Sequence, residues 1–353
     1  MSRGRYPWLF SPAIDLSVFL GSALFALALV GVGAATGDLA TGTPEWTWVP
    51  AILLIDVAHV WATGFRVYLD ADELRRRPWL YALAPLGGWV IGVALYSESP
   101  MIFWRTLAYL AVFHFVRQQY GWVALYRRRG GEPLGAGRFV DTAAIYAATI
   151  FPLLWWHAHL PRDFWWFLPG DFAAAPDWMR TVAMAAAPVY AAALLAYAVR
   201  SALAWRRGRG NPGKDIVVAT TAVCWFVGIV ALDSDYAFTV TNVIIHGVPY
   251  FAIVYLAARA RLAAGARGGV RLLRFGPGAF LGLLWLAAYA EELLWDRAVW
   301  HDRPWLFGGS WHLADLHVYL VPLLALPQIT HYVLDGFIWR GGQARALVGA
   351  QRR

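Results

Sequence analysis

The chain alternates long apolar stretches with short polar ones. Ten apolar stretches run over roughly 14–36, 47–69, 78–97, 101–126, 138–157, 180–204, 215–232, 236–258, 276–296 and 313–338. Each is close to the ~20 residues that a helix needs to cross a hydrocarbon core about 30 Å thick. The pattern predicts an all-α, polytopic membrane helical bundle of about ten transmembrane helices, forming a single transmembrane domain over 1–353. Arg3 and Arg5 precede the first stretch as they would in a signal peptide. That stretch is longer than a signal's apolar region of about 7–15 residues, so it is read as a retained helix.

Composition sharpens this picture. Of 353 residues, 59% are hydrophobic and only 15% charged, too few to cover a water-exposed surface. A soluble enzyme, a nucleic-acid-binding domain and a disordered chain are excluded, and the net charge of +8 needs another explanation. Cys224 is the only cysteine, which removes disulfides, Cys-ligated zinc, iron–sulfur clusters and a CxxCH haem attachment. Any metal must therefore be held by His, carboxylate or other oxygen ligands.

The positive charge is explained by its position. Basic residues gather in alternate connections: Arg3 and Arg5; Arg75–Arg77; Arg127–Arg129 with Arg138; Arg206, Arg207, Arg209 and Lys214; Arg259 to Arg274; and Arg340 to Arg353. These groups hold 22 of the 30 basic residues, while the opposite connections carry mainly acids such as Asp38, Asp163, Asp233 and Asp302. The positive-inside rule then predicts both termini in the cytoplasm, most simply of a bacterial inner membrane. Many of the 21 tryptophans fall at the predicted interfaces as an aromatic belt. Gly33/Gly37 and Gly278/Gly282 have the spacing that permits close helix approach.

Ionisable residues inside a span cost roughly 2.5–3.5 kcal/mol each at mid-membrane, so their positions carry information. The second stretch holds Asp56 and His59; the fourth His114, Arg117 and Gln118; the eighth Asn242, His246 and Tyr250; the tenth Gln328, His331 and Asp335. At 1.5 Å rise per residue, the four histidines fall within a slab roughly 12 Å thick, from mid-membrane into the inner half. Each has a polar neighbour three or four positions away, on its own helix face. A metal-ligating imidazole generally gives its second N–H to a carboxylate or carbonyl, a role open to Asp56 and Asp335. Arg66 is expected to snorkel to the inner interface. His157, His159, His301 and His312 are expected near the outer surface, and Glu291 and Glu292 at a wet outer helix end. The outer loops 158–179 and 297–312 can form short interfacial helices.

One histidine per helix on the inner side of a bundle, at His59, His114, His246 and His331, resembles the integral-membrane non-haem iron enzymes. These are the fatty acid desaturase and hydroxylase class and the Blh-type carotene dioxygenases. The resemblance implies non-haem iron, or another His-bound metal such as zinc or copper. No HxxxH or HxxHH box is present, so a mononuclear site fits the sequence better than a di-iron one.

The resulting expectation is a membrane metal-dependent oxidoreductase or oxygenase acting on a lipid or isoprenoid. His59, His114, His246 and His331 would be its ligands, and Asp56 and Asp335 would orient them or join them. Arg117, Gln118 and Tyr250 would act on the substrate. Membrane lipids and an apolar small molecule are the expected partners, and nucleic acid is not. The alternative is a proton-coupled transporter using the same His and Asp residues as a relay; buried ionisable residues suit transport pathways equally well.

Overall fold

The computed structural model describes residues 6–41 and 43–339, and among these every regular element is helical. Arg3, Arg5, Arg340, Arg345, Arg352 and Arg353, which contribute to the orientation argument, lie outside the described residues. In chain order the long helices are α1 Pro12–Thr36, α2 Glu45–Arg66, α3 Pro78–Glu98, α4 Pro100–Arg129, α5 Ala136–Ala158, α6 Trp178–Arg206, α7 Pro212–Ala231, α8 Asp235–Ala263 and α9 Pro277–Trp300. Two shorter helices follow, α10 His317–Leu324 and α11 Leu326–Ile338. Eight of these, all of α1–α9 except α4, are long and apolar enough to cross a membrane.

The fourth and tenth apolar stretches differ from the rest for separate reasons. Helix α4 is continuous over 30 residues, but Arg105, Arg117, Gln118, Gln119 and three terminal arginines lower its hydropathy. The tenth stretch breaks at Ala325, between Pro322 and Pro327. Proline lacks the N–H that continues the helical ladder, yet fits the first turn of a new helix, where Pro327 sits. The second stretch is helical throughout but changes its winding. Trp48–Val57 is a ten-residue π-helix, and α-helical winding resumes at Ala58, one residue before His59. π-Windings of this kind are uncommon and concentrate at functional sites.

The chain divides into two compact units, Met1–Thr47 with Ala111–Pro249, and Trp48–Leu110 with Tyr250–Arg353. In the first unit α5 packs against α6 and α7, and α7 against α1. Close packing there depends on glycine. A Cβ at Gly33 would meet the Tyr236 ring at 2.4 Å, and one at Gly213 the Tyr126 ring at 2.0 Å. Gly278 and Gly282 have open space instead, so that second motif makes no close contact among the described residues.

Five charged residues of the first unit, Arg127, Glu132, Asp141, Arg200 and Lys214, form one paired cluster. Asp141, fully buried, takes Arg200 at 2.5 Å and Lys214 at 3.0 Å, and also pairs with Arg127. Glu132 takes Lys214 at 2.6 Å, Arg127 at 3.0 Å and Arg200 at 3.1 Å, with Asn211 Nδ2 at 2.9 Å. Buried charges are tolerated when paired and fully hydrogen-bonded in this way.

In the second unit α3 packs against α10 and α11, and α9 against α2. Gly88 and Gly92 admit this approach, since a Cβ at either would meet Ile329 or Pro322 at 2.8 Å. Asp70 caps the short helix Ala71–Arg76 through its N–H groups and holds Arg261 at 2.7 Å. Arg66 does not snorkel: it is buried, reaches the Ile338 carbonyl at 3.3 Å, lies 3.7 Å from Glu73 and stacks on Trp339. A buried carboxylate and a helix-end carbonyl supply on the inside what water would supply outside. No helix forms between His159 and Asp177, and over 297–312 the end of α9 is followed by the single turn Pro304–Phe307.

Candidate metal centre

Each unit contains one pair of facing histidines. In the second unit, α2 contributes His59, 1% exposed, and α11 contributes His331, 0% exposed. Their rings meet nearly at right angles, with centroids 4.9 Å apart. Asp56 stands one helical turn before His59, its Oδ1 3.7 Å from Nδ1.

His331 is oriented by a chain of hydroxyls. Its Nδ1 lies 2.7 Å from Thr63 Oγ1, and Thr63 Oγ1 lies 3.0 Å from the Tyr250 hydroxyl. Tyr250 donates to Asp335 Oδ1 at 2.6 Å, and Trp339 Nε1 donates to the same oxygen at 3.2 Å. With the Asp335 carboxylate ionised, donor counting sets the directions along this chain. Tyr250 has one proton, given to Asp335, so its oxygen accepts from Thr63. Thr63 has then used its only proton and can only accept from the imidazole. Nδ1 of His331 therefore carries the hydrogen, and Nε2 carries the lone pair. The Tyr250 ring also stands nearly perpendicular to both imidazoles, with centroids 5.0 Å from His331 and 5.8 Å from His59.

In the first unit, α4 contributes His114 and α8 contributes His246, both buried, with ring centroids 5.1 Å apart. Phe115 lies flat on the His246 ring at 3.6 Å, and its ring stands at a right angle to that of Trp166. Ring stacking at this distance restricts the orientation of the imidazole. Gln118, one turn beyond His114, has both amide atoms buried without a hydrogen-bond partner among the described residues. The neighbouring Gln119 accepts from Thr221 at 3.0 Å.

Each of His59, His114, His246 and His331 offers one ring nitrogen, and these four atoms lie within 4.8 Å of one another. Four buried histidines so grouped can hold a metal ion. An all-imidazole donor set suits iron, zinc, copper or nickel.

The remaining expected site residues fall in different places. Tyr250 and Asp335 belong to the hydrogen-bond chain behind His331, and Asp56 stands beside His59. Arg117 is exposed, bonded to the Tyr146 hydroxyl and stacked on Tyr120 at 4.9 Å. Glu291 is not wet: it is 4% exposed and accepts from Trp61 Nε1 at 2.6 Å, because α9 packs this end against α2. His301 and His312 are exposed, while His157 and His159 are half-buried, each with Nδ1 on a backbone carbonyl one turn earlier. Thr63 and Phe115 escaped the sequence reading. Thr63 stands four positions after His59, a spacing that could have marked it, whereas nothing distinguishes Phe115 from the many other aromatics. No protein-family model, no curated protein and no solved structure matches the chain.

Proposed function

We propose that the chain is an integral-membrane, metal-dependent oxidoreductase of the bacterial cytoplasmic membrane, an oxygenase in the simplest case, acting on a lipid or isoprenoid. The observation that carries this reading is the convergence of four buried imidazoles from four different helices. Ionisable side chains at such depth are costly, and a common ligand accounts for all four at once. In this reading His59, His114, His246 and His331 are the ligands, with iron as the preferred metal and zinc or copper as the other candidates. The metal would supply Lewis-acid or redox chemistry. The protein's part is to hold the imidazoles in the required tautomer and to exclude water.

The accompanying topology is ten crossings with both termini cytoplasmic. It adds α4 and the broken pair α10–α11 to the eight apolar helices, and the alternation of basic connections supports it. Gln118, whose buried amide lacks a partner, is the better candidate for contact with a substrate head group, and the exposed Arg117 the weaker. Asp335 would act on His331 through Tyr250 and Thr63. Metal analysis of the purified protein, before and after reconstitution with ferrous iron, tests the reading. A protein that stays free of metal in both states overturns it.

The transporter alternative draws support from Glu291, a buried carboxylate outside the histidine group. Proton-coupled uptake into vesicles that persists in a metal-free protein would favour it.

A further inference from the structure

A cavity of about 280 Å³ opens in the second unit, with none of the four histidines in its lining. Its lining comes from α3, the first part of α4, and Ile329 and Val333 of α11. Thr106 is the one polar side chain among the lining residues, and its hydroxyl is already bonded to the Ile102 carbonyl at 2.8 Å. Water finds no partners in such a space, and a polar head group finds none either. Along α3 the lining extends from Leu83 to Leu95, about 18 Å at helical rise. That is slightly more than half of a 30 Å hydrocarbon core, the extent of one extended chain in one leaflet. Helix α3 is also among the least buried spans, with only 11% of its apolar window inside the protein, so the cavity borders the region that lipid would occupy.

Two details argue for a dedicated site over an accidental gap. Gly87 lines the cavity, and a Cβ there would meet nothing within 4 Å, unlike its neighbour Gly88, which packs on Ile329. Glycine is a poor helix residue, and packing does not demand it at this position; what it leaves open is the cavity. On α4 the lining residues Phe103, Leu107 and Leu110 recur at helical spacing, and His114 is the next position in that series.

We infer that this cavity holds the hydrocarbon chain of the substrate. The inference rests on the metalloenzyme reading above and names its substrate class: a molecule with one long, flexible, apolar chain. A bilayer phospholipid's acyl chain shares that chemistry, but the continuation of the α4 lining toward His114 favours the substrate.

The test is photo-crosslinking of the full-length protein in nanodiscs with a diazirine-bearing palmitic acid analogue, followed by peptide mapping. Label is expected on residues 83–95 and 103–110, well above that on the equally lipid-facing α6. In Gly87→Phe, whose new ring enters the cavity from a position with room for it, this label is expected to fall to the α6 level while metal content stays at the wild-type value. Label spread evenly over all lipid-facing spans of the wild type overturns the inference without need of the variant. Equal labelling by a phosphatidylglycerol that carries the diazirine in its acyl chain also overturns it, by assigning the cavity to bilayer lipid. So does a crosslink between two copies of the chain through these residues. Metal content measured on the same wild-type sample reports separately on the enzyme reading, so the two can fail independently.

Discussion

The hydroxyl of Thr63 lies 2.7 Å from Nδ1 of His331. It is the last link in a chain that starts at the Asp335 carboxylate, passes through the Tyr250 hydroxyl and ends on an imidazole. Asp335 is one helical turn from His331 in sequence, but the contact that sets the Nδ1 hydrogen comes from another helix. If the four histidines hold a metal, Nε2 is the nitrogen that His331 would offer, because Nδ1 is engaged by Thr63.

Thr63→Val keeps the shape of the side chain and removes the hydroxyl. It leaves the His331 N–H and the Tyr250 hydroxyl with a lost partner, at a cost of about 1–3 kcal/mol in stability. Metal affinity is expected to fall about 10–100-fold, as it does when an imidazole loses its orienting partner. Thr63→Ser should restore most of both. Metal titration followed by thermal unfolding of each variant checks this, and a Thr63→Val protein with wild-type metal affinity would refute the orienting role.

Asp335→Asn and Tyr250→Phe act on the same chain and should each impair metal binding without abolishing it. Because they share one network with Thr63, the double variant Asp335→Asn/Thr63→Val is expected to be little worse than Thr63→Val alone. Additive losses would mean that Asp335 reaches the site by a separate route. Asp56→Asn should likewise be milder than His59→Ala.

Replacing any one of His59, His114, His246 or His331 by Ala is expected to abolish or severely weaken metal binding while expression stays near normal. His157→Ala and His301→Ala, outside the group, should bind metal like the wild type. Metal per chain on the purified variants gives the answer directly; similar values for the two sets would dissolve the centre.

The orientation can be read with single cysteines, since the native Cys224 is fully buried and should stay silent to polar reagents. Gly210 is a poor position, because a Cβ there would meet the Trp205 ring at 2.4 Å. Arg209→Cys and Ala174→Cys use exposed positions instead. Impermeant maleimide should label Arg209→Cys only from the cytoplasmic side and Ala174→Cys only from outside. Labelling of both from one side would require a different number of crossings between them.

Glu132 supplies a pH signature. Burial opposes its charge, but hydrogen bonding and attraction from Lys214 outweigh this and hold its pKa below the ordinary 4.5. A depressed carboxylate contributes stability that is present above its unfolded value and is lost as pH falls through the folded one. Thermal stability in detergent should therefore decline as pH drops from about 5 toward 3. Glu132→Gln should be less stable at neutral pH and should show a smaller decline. An identical pH profile for the two proteins would show that the ion cluster contributes nothing to acid sensitivity.

How far the sequence could be read depended on the range of the interaction involved. Helix positions followed from local hydropathy, since an apolar run of this length has few other stable states in a membrane. The winding of Trp48–Val57 and the break at Ala325 were not legible in the same way. The first has no compositional mark, and the second depends on which of two nearby prolines the helix can absorb. Arg66 and Glu291 were misread for a common reason. Each lies near a helix end, where the choice between water and a buried partner depends on which neighbouring helix arrives there.

The candidate ligands were legible because a buried imidazole is conspicuous against an apolar background. Depth along a helix is a local quantity, and counting residues from the span ends placed His59, His114, His246 and His331 at similar levels. Azimuth and neighbourhood are not local. That His59 meets His331, that His114 meets His246, and that Thr63 instead of Asp335 lies against His331 Nδ1 were decided by helix packing, which rests on glycines, rings and side-chain shapes far apart in the chain. The sequence by itself determined which residues lie on long apolar helices and how far along them. The tertiary structure decided which of them face one another, because contact depends on rotation about the helix axes and on close packing, neither of which is encoded in any single segment.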